Sequence, residues 1–108
     1  MNSLLFSLLG FAGSTNSLIT RQVTAAGGVS ISTSDCVVII NKTVGAATAV
    51  TLPTGTEGRF LVIKDGKGDA NSNNITITGD VDGGASYVIS SAYGSVSLVF
   101  SGAKYYVI

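Results

Sequence analysis

The stretch VTLPTGTEGRFLVIKDGKGDANSNNITI, residues 50–77, decides the fold. Short apolar runs alternate in it with turns rich in Gly, Asp and Asn, residues that accept tight or left-handed backbone and bond their own main chain. Pro53 closes the first run because it has no N–H to give a ladder. No side chain in the stretch suits acid–base work at pH 7. The pattern is that of a small β-module, and it points to a structural or binding protein rather than an enzyme.

Working outward, the same grammar continues on both sides. VSIS (29–32) alternates Val29 and Ile31 with serines, the mark of a half-buried strand. CVVIIN (36–41) and the centre of RFLVIKD (59–65) are continuous apolar runs of strand length, which predicts burial on both faces. TAVTLP (48–53), NITIT (74–78), SYVIS (86–90) and SVSLVF (95–100) complete the set before Ser101-Gly102 turns into AKYYVI (103–108). Turn signals recur every 8–12 residues, the rhythm of a sandwich or small barrel. No repeat of 20–50 residues stands out. The expected fold is all-β: a single small antiparallel sandwich or barrel-like domain of about seven or eight short strands, spanning 18–108 behind an N-terminal apolar arm and linker at 1–17.

Composition narrows the function classes. A chain of 108 residues supports one modest core. Charged residues make up 11%, against about 25% in an ordinary soluble domain, and the formal net charge is zero. A surface so poor in charge favours association with copies of itself or with a partner. Arg21, Lys42, Arg59, Lys64, Lys67 and Lys104 are scattered, which argues against a nucleic-acid partner. Cys36 is alone, so neither an intrachain disulfide nor a paired-cysteine metal site is expected, and it reads as a structural thiol.

Residues 1–12, MNSLLFSLLGFA, form the most apolar segment of the chain. They fall far short of the roughly 20 residues needed to span a bilayer, so no membrane span is expected. No Lys or Arg precedes the run, as it would in a secretory signal. At helical spacing Leu4, Leu5 and Leu8 share a face with Ala12, while Phe6, Leu9 and Phe11 fall off it. A helix apolar almost all round is stable only when covered on several sides. Three readings follow: an arm docked into a partner or neighbouring copy, a cleaved signal, or self-packing. GSTNS (13–17) then reads as a polar linker.

The chain has no histidine, which removes Ser-His-Asp and Cys-His nucleophile systems and His-led zinc sites within one subunit. Asp65 and Asp69, four apart, and Asp80 and Asp82, two apart, sit in glycine-rich turns where Asp serves the local backbone. The loop beginning at Asp69 departs from a calcium loop at its sixth position, Asn74, and its twelfth, Asp80. No catalytic residue, metal or cofactor is assigned. Tyr93, Tyr105 and Tyr106 remain as possible recognition residues, since a tyrosine offers a flat apolar face with a polar tip. Tyr105 and Tyr106 must face opposite sides of the terminal hairpin, one toward the core and one away from it.

The order Thr-Leu-Pro, Ile-Lys-Asp-Gly, Asn-Asn-Ile-Thr-Ile, Asp-Gly, Tyr-Gly-Ser-Val and a closing hairpin resembles a module of tailed-phage virion proteins, over roughly residues 30–108. Modules of this kind occur in tail fibres, head fibres and capsid decoration proteins. The resemblance implies a homotrimer, no enzymatic site, and a place on the phage particle, the head more than the tail. Fibre versions usually end a much longer chain, so the expectation is a capsid decoration, cement or head-spike protein. Leu4, Leu5, Phe6, Leu8, Leu9 and Phe11 would then seat it on the major capsid protein or another virion protein. The alternative is a short tail-fibre module that binds a receptor or glycan through Tyr93, Tyr105 and Tyr106. A third reading is a secreted enzyme or adhesin freed from a signal peptide.

Overall fold

A computed structural model describes residues 17–108. These fold into nine strands: β1 (Thr20–Val23), β2 (Val29–Ser30), β3 (Val37–Ile40), β4 (Thr48–Thr51), β5 (Phe60–Asp65), β6 (Ile75–Val81), β7 (Gly84–Ile89), β8 (Ser95–Ser101) and β9 (Lys104–Val107). The protein is all-β, as expected, and eight of the nine strands coincide with the segments singled out above. The ninth, β1, has the sequence TRQV and lies on an edge.

Strand direction differs from the expected antiparallel arrangement. β1, β3 and β5 pair in parallel, and so do β2, β4 and β6. The chain therefore alternates between two half-sheets, making three stacked turns of a flattened coil. Parallel neighbours need a long crossover, and here each crossover carries a strand of the other half-sheet instead of a helix. Antiparallel pairing is confined to β5–β8, β6–β7 and β8–β9. The last two are the tight hairpins, turning at Asp82-Gly83 and Gly102-Ala103. Gly83 (φ 83°), Gly102 (φ 67°) and Asp82 (φ 53°) supply the left-handed backbone that such turns demand. Strand patterning reports which face is buried and says nothing of the neighbour's direction, which explains the difference.

The half-sheets join at one bridge, where β9 meets β6 at Val81 and Tyr105. Between them lies a single core. From one half-sheet come Val38, Ile40, Leu61, Ile63, Val96, Leu98 and Phe100; from the other, Val29, Val50, Ile75, Ile77 and Ile89. Val38, Val50, Leu61, Ile63, Ile77 and Leu98 are wholly inaccessible, and each such side chain contributes about 1.5–3 kcal/mol by leaving water. β6 kinks between Thr78 and Val81. Gly79 (φ 149°) takes the bend, where an added Cβ would lie 3.1 Å from Leu52.

Candidate functional site

All six acidic residues of the chain accept hydrogen bonds from within the fold. Asp65, buried at the end of β5, collects four backbone N–H groups. Its Oδ1 accepts from Lys67 (3.1 Å) and Gly68 (3.0 Å), and its Oδ2 from Ala70 (2.9 Å) and Tyr93 (3.0 Å). Burial pushes its pKa up, but the donors at Ala70, Tyr93, Gly68 and Lys67 together outweigh that and hold it below the ordinary carboxylate range. Asp35 is similar. Burial raises its pKa, while the Arg21 guanidinium, bound through Nε at 3.0 Å and Nη2 at 2.7 Å, and the Ser32 N–H bring it below normal. Arg59 grips the same loop through the carbonyls of Thr33 (2.9 Å) and Ser32 (2.7 Å). Glu57 takes the Ser101 hydroxyl and the Gly102 N–H. Asp69 takes the Asn73 amide, Asp80 the Gly83 N–H and Asp82 the Val107 N–H. Each carboxylate thus works as a fastener for a turn or hairpin. Among the described residues no group of three His, Cys, Asp or Glu side chains could hold a metal ion.

The three candidate tyrosines are not brought together. Tyr105 is the core member of the terminal hairpin: it is 3% exposed, stacks edge-on against Phe100 with ring centres 5.0 Å apart, and donates its hydroxyl to the Pro53 carbonyl at 3.1 Å. Tyr106 faces outward beneath the Lys104 ammonium, 5.9 Å from its ring centre. Tyr93 stands in the turn between β7 and β8, with φ of 59° and 60% exposure. Lys64 donates to its carbonyl and lies 5.4 Å from its ring centre. An open cleft of about 490 Å³ lies at the other end of β8, between the chain after β4, the β6 bend and the β8–β9 turn. Leu52, Gly55, Phe100 and Tyr105 line it, with Asp80 and Lys104 also in its wall.

The outer faces of the half-sheets differ in chemistry. On β2-β4-β6-β7 the outward cross-strand rows are Ser30, Thr51, Thr78, Ser86 and Ala49, Thr76, Val88, a surface of hydroxyls and small groups. On β1-β3-β5-β8-β9 they are Gln22, Ile39, Lys64, Ser95; then Thr20, Val37, Val62, Ser97; then Phe60, Val99, Tyr106. Six neighbouring apolar side chains thus point away from the core. The burial on both faces expected for β3 and β5 holds on one face only: Val37, Ile39, Phe60 and Val62 are each part-exposed. The runs of 36–41 and 59–65 carried this signal, and only strand pairing showed that they lie side by side.

Leu4, Leu5, Phe6, Leu8, Leu9 and Phe11, proposed as the anchoring contact, lie outside the described residues. No described helix is long and apolar enough to cross a membrane. The chain matches no protein-family model and no curated protein.

Proposed function

We propose that this chain is a structural protein of a phage particle, a homotrimeric capsid decoration, cement or head-spike subunit seated by its apolar N-terminal segment. The observation that carries the reading is the use of every carboxylate as a turn fastener in a charge-poor β-frame. Such a design spends its polar groups on rigidity, which is what a shell component needs. The order of motifs along residues 30–108 supplies the setting. Antibody labelling of purified particles tests it: label on heads supports the reading, and particles without label overturn it. A second reading, a tail-fibre module that binds a glycan, draws on the end cleft and on the exposed ring of Tyr93. A glycan array without hits, together with head labelling, removes it.

A further inference from the structure

We infer that β1 is a strap: Thr20–Val23 lifts off β3 as a unit while the strands from β2 to β9 stay folded, and the Arg21 side chain is the clasp that holds it down. This builds on the seating proposed above, since β1 is the strand that follows residues 1–16.

Little burial is lost when β1 leaves. It lies on an edge, and among the described residues it pairs with β3 alone. Of its four side chains Val23 packs against the core, part-exposed, whereas β3 beside it contributes the buried Val38 and Ile40. Thr20 and Gln22 are exposed, and the preceding Ile19 is 60% exposed. The bonds from the Val37 N–H to the Ile19 carbonyl (3.0 Å) and from the Asn41 N–H to the Val23 carbonyl (2.8 Å) are replaced by bonds to water once the strand lifts. Segments with few buried apolar contacts open locally, at a lower free energy than the whole fold. Beyond β1, residues 24–28 are exposed, with Gly27 at φ 104° and nothing within 4 Å of an added Cβ. The core resumes at Val29, so 24–28 is the hinge.

Arg21 opposes release. Its Nε and Nη2 fork the Asp35 carboxylate at 3.0 and 2.7 Å, and Nη2 also donates to the Ser30 carbonyl at 3.1 Å. Charge-assisted bidentate pairs of this kind are among the strong hydrogen bonds. The Asp35 side chain is 5% exposed and that of Arg21 39%, so the clasp reaches in from the surface. The catch is built without β1. Asp35 accepts the Ser32 N–H at 2.8 Å, and Arg59 binds the carbonyls of Thr33 and Ser32 at 2.9 and 2.7 Å. It therefore stays formed when β1 lifts, and the strand returns to the same place. Release frees residues 17–23, which add roughly 23–25 Å of tether and let the domain shift without losing its seat.

The test is native-state hydrogen exchange of the full chain, read residue by residue by nuclear magnetic resonance. The Val37 and Asn41 amides donate to β1, while the Val62 and Gly66 amides tie β5 to the Cys36 and Ile40 carbonyls. In the parent the first pair is expected to exchange at least tenfold faster than the second, with a much shallower dependence on urea, the sign of a local opening. Arg21→Gln should speed the first pair at least tenfold further and leave the second unchanged. Equal rates and equal urea slopes for the two pairs in the parent overturn the strap, and equal acceleration of both pairs in Arg21→Gln overturns the clasp. Should Arg21→Gln fail to fold, the parent's slopes decide: a shallower slope for Val37 and Asn41 supports the strap, and equal slopes overturn it. Exchange is read on the free chain and seating on particles, so unlabelled particles beside a shallow slope remove the seating and leave the strap standing.

Discussion

The Oδ2 of Asp65 and the backbone N–H of Tyr93 lie 3.0 Å apart across 28 residues of sequence. The bond ties the loop after β5 to the turn before β8, and it holds an aromatic residue in left-handed backbone, which few aromatic residues adopt. One buried carboxylate thereby orders two turns at the same end of the β5–β8 pair.

Replacing Asp65 with Asn keeps the shape but turns an NH₂ group toward N–H donors. The expected cost is about 2–4 kcal/mol, since buried donors lose a charged acceptor. Urea denaturation should show a lower midpoint with an unchanged slope. An unchanged midpoint contradicts the role given to Asp65.

Acid should act through Asp65 and Asp35. Both have folded pKa values below the ordinary carboxylate value, so the folded state binds protons less readily than the unfolded one. Their contribution to stability is complete above the normal carboxylate pKa and is lost as pH falls through the lowered folded values. Melting temperature followed from pH 7 to pH 2 should stay level at first and then drop. In Asp65→Asn the acid-induced drop should be smaller. A drop equal to the parent's removes Asp65 as a source.

Two glycines separate crowding from backbone strain. An added Cβ at Gly55 would lie 2.4 Å from the ring of buried Phe100, while at Gly58, φ 81°, it would meet nothing within 4 Å. Gly55→Ala should cost about 1–3 kcal/mol through overpacking, and Gly58→Ala about 1–2 kcal/mol through strain alone. Only Gly55→Ala should disturb near-ultraviolet signals from Phe100 and Tyr105. The same spectral change in both variants refutes the distinction.

Cys36 is half-buried, and burial pushes its thiol pKa up. Less thiolate means slow alkylation. Iodoacetamide at pH 8 should modify the folded chain several-fold more slowly than the chain in urea, and equal rates refute the assignment.

Much of the fold is legible in the sequence because its signals are local. Pro53, the alternation of Ile75 and Ile77 with threonines, and the glycine turns at 83 and 102 are each decided within a few residues. β1 escapes because its only residue packed against the core is Val23, so TRQV shows no apolar period. Parallel stacking escapes because it depends on partners 17 to 27 positions away, as in Thr20 with Val37 and Val50 with Ile77. The turn chemistry of the aspartates is readable from composition. The outward apolar residues are not, because Phe60 and Val99 become neighbours only through pairing of β5 with β8.

The bridge between Val81 and Tyr105, with the Asp82 N–H bound to the Tyr105 carbonyl at 2.8 Å, has a consequence for biosynthesis. β9 is the last of the nine strands to leave the ribosome, and the seam between half-sheets waits for it. Earlier strands can stack while still tethered, yet the seam stays open until residues 104–107 emerge. A nascent chain stalled before Lys104 lacks both the seam and the Tyr105 ring that packs against Phe100. Closure of the seam therefore requires the chain through Val107, whose N–H binds Asp82.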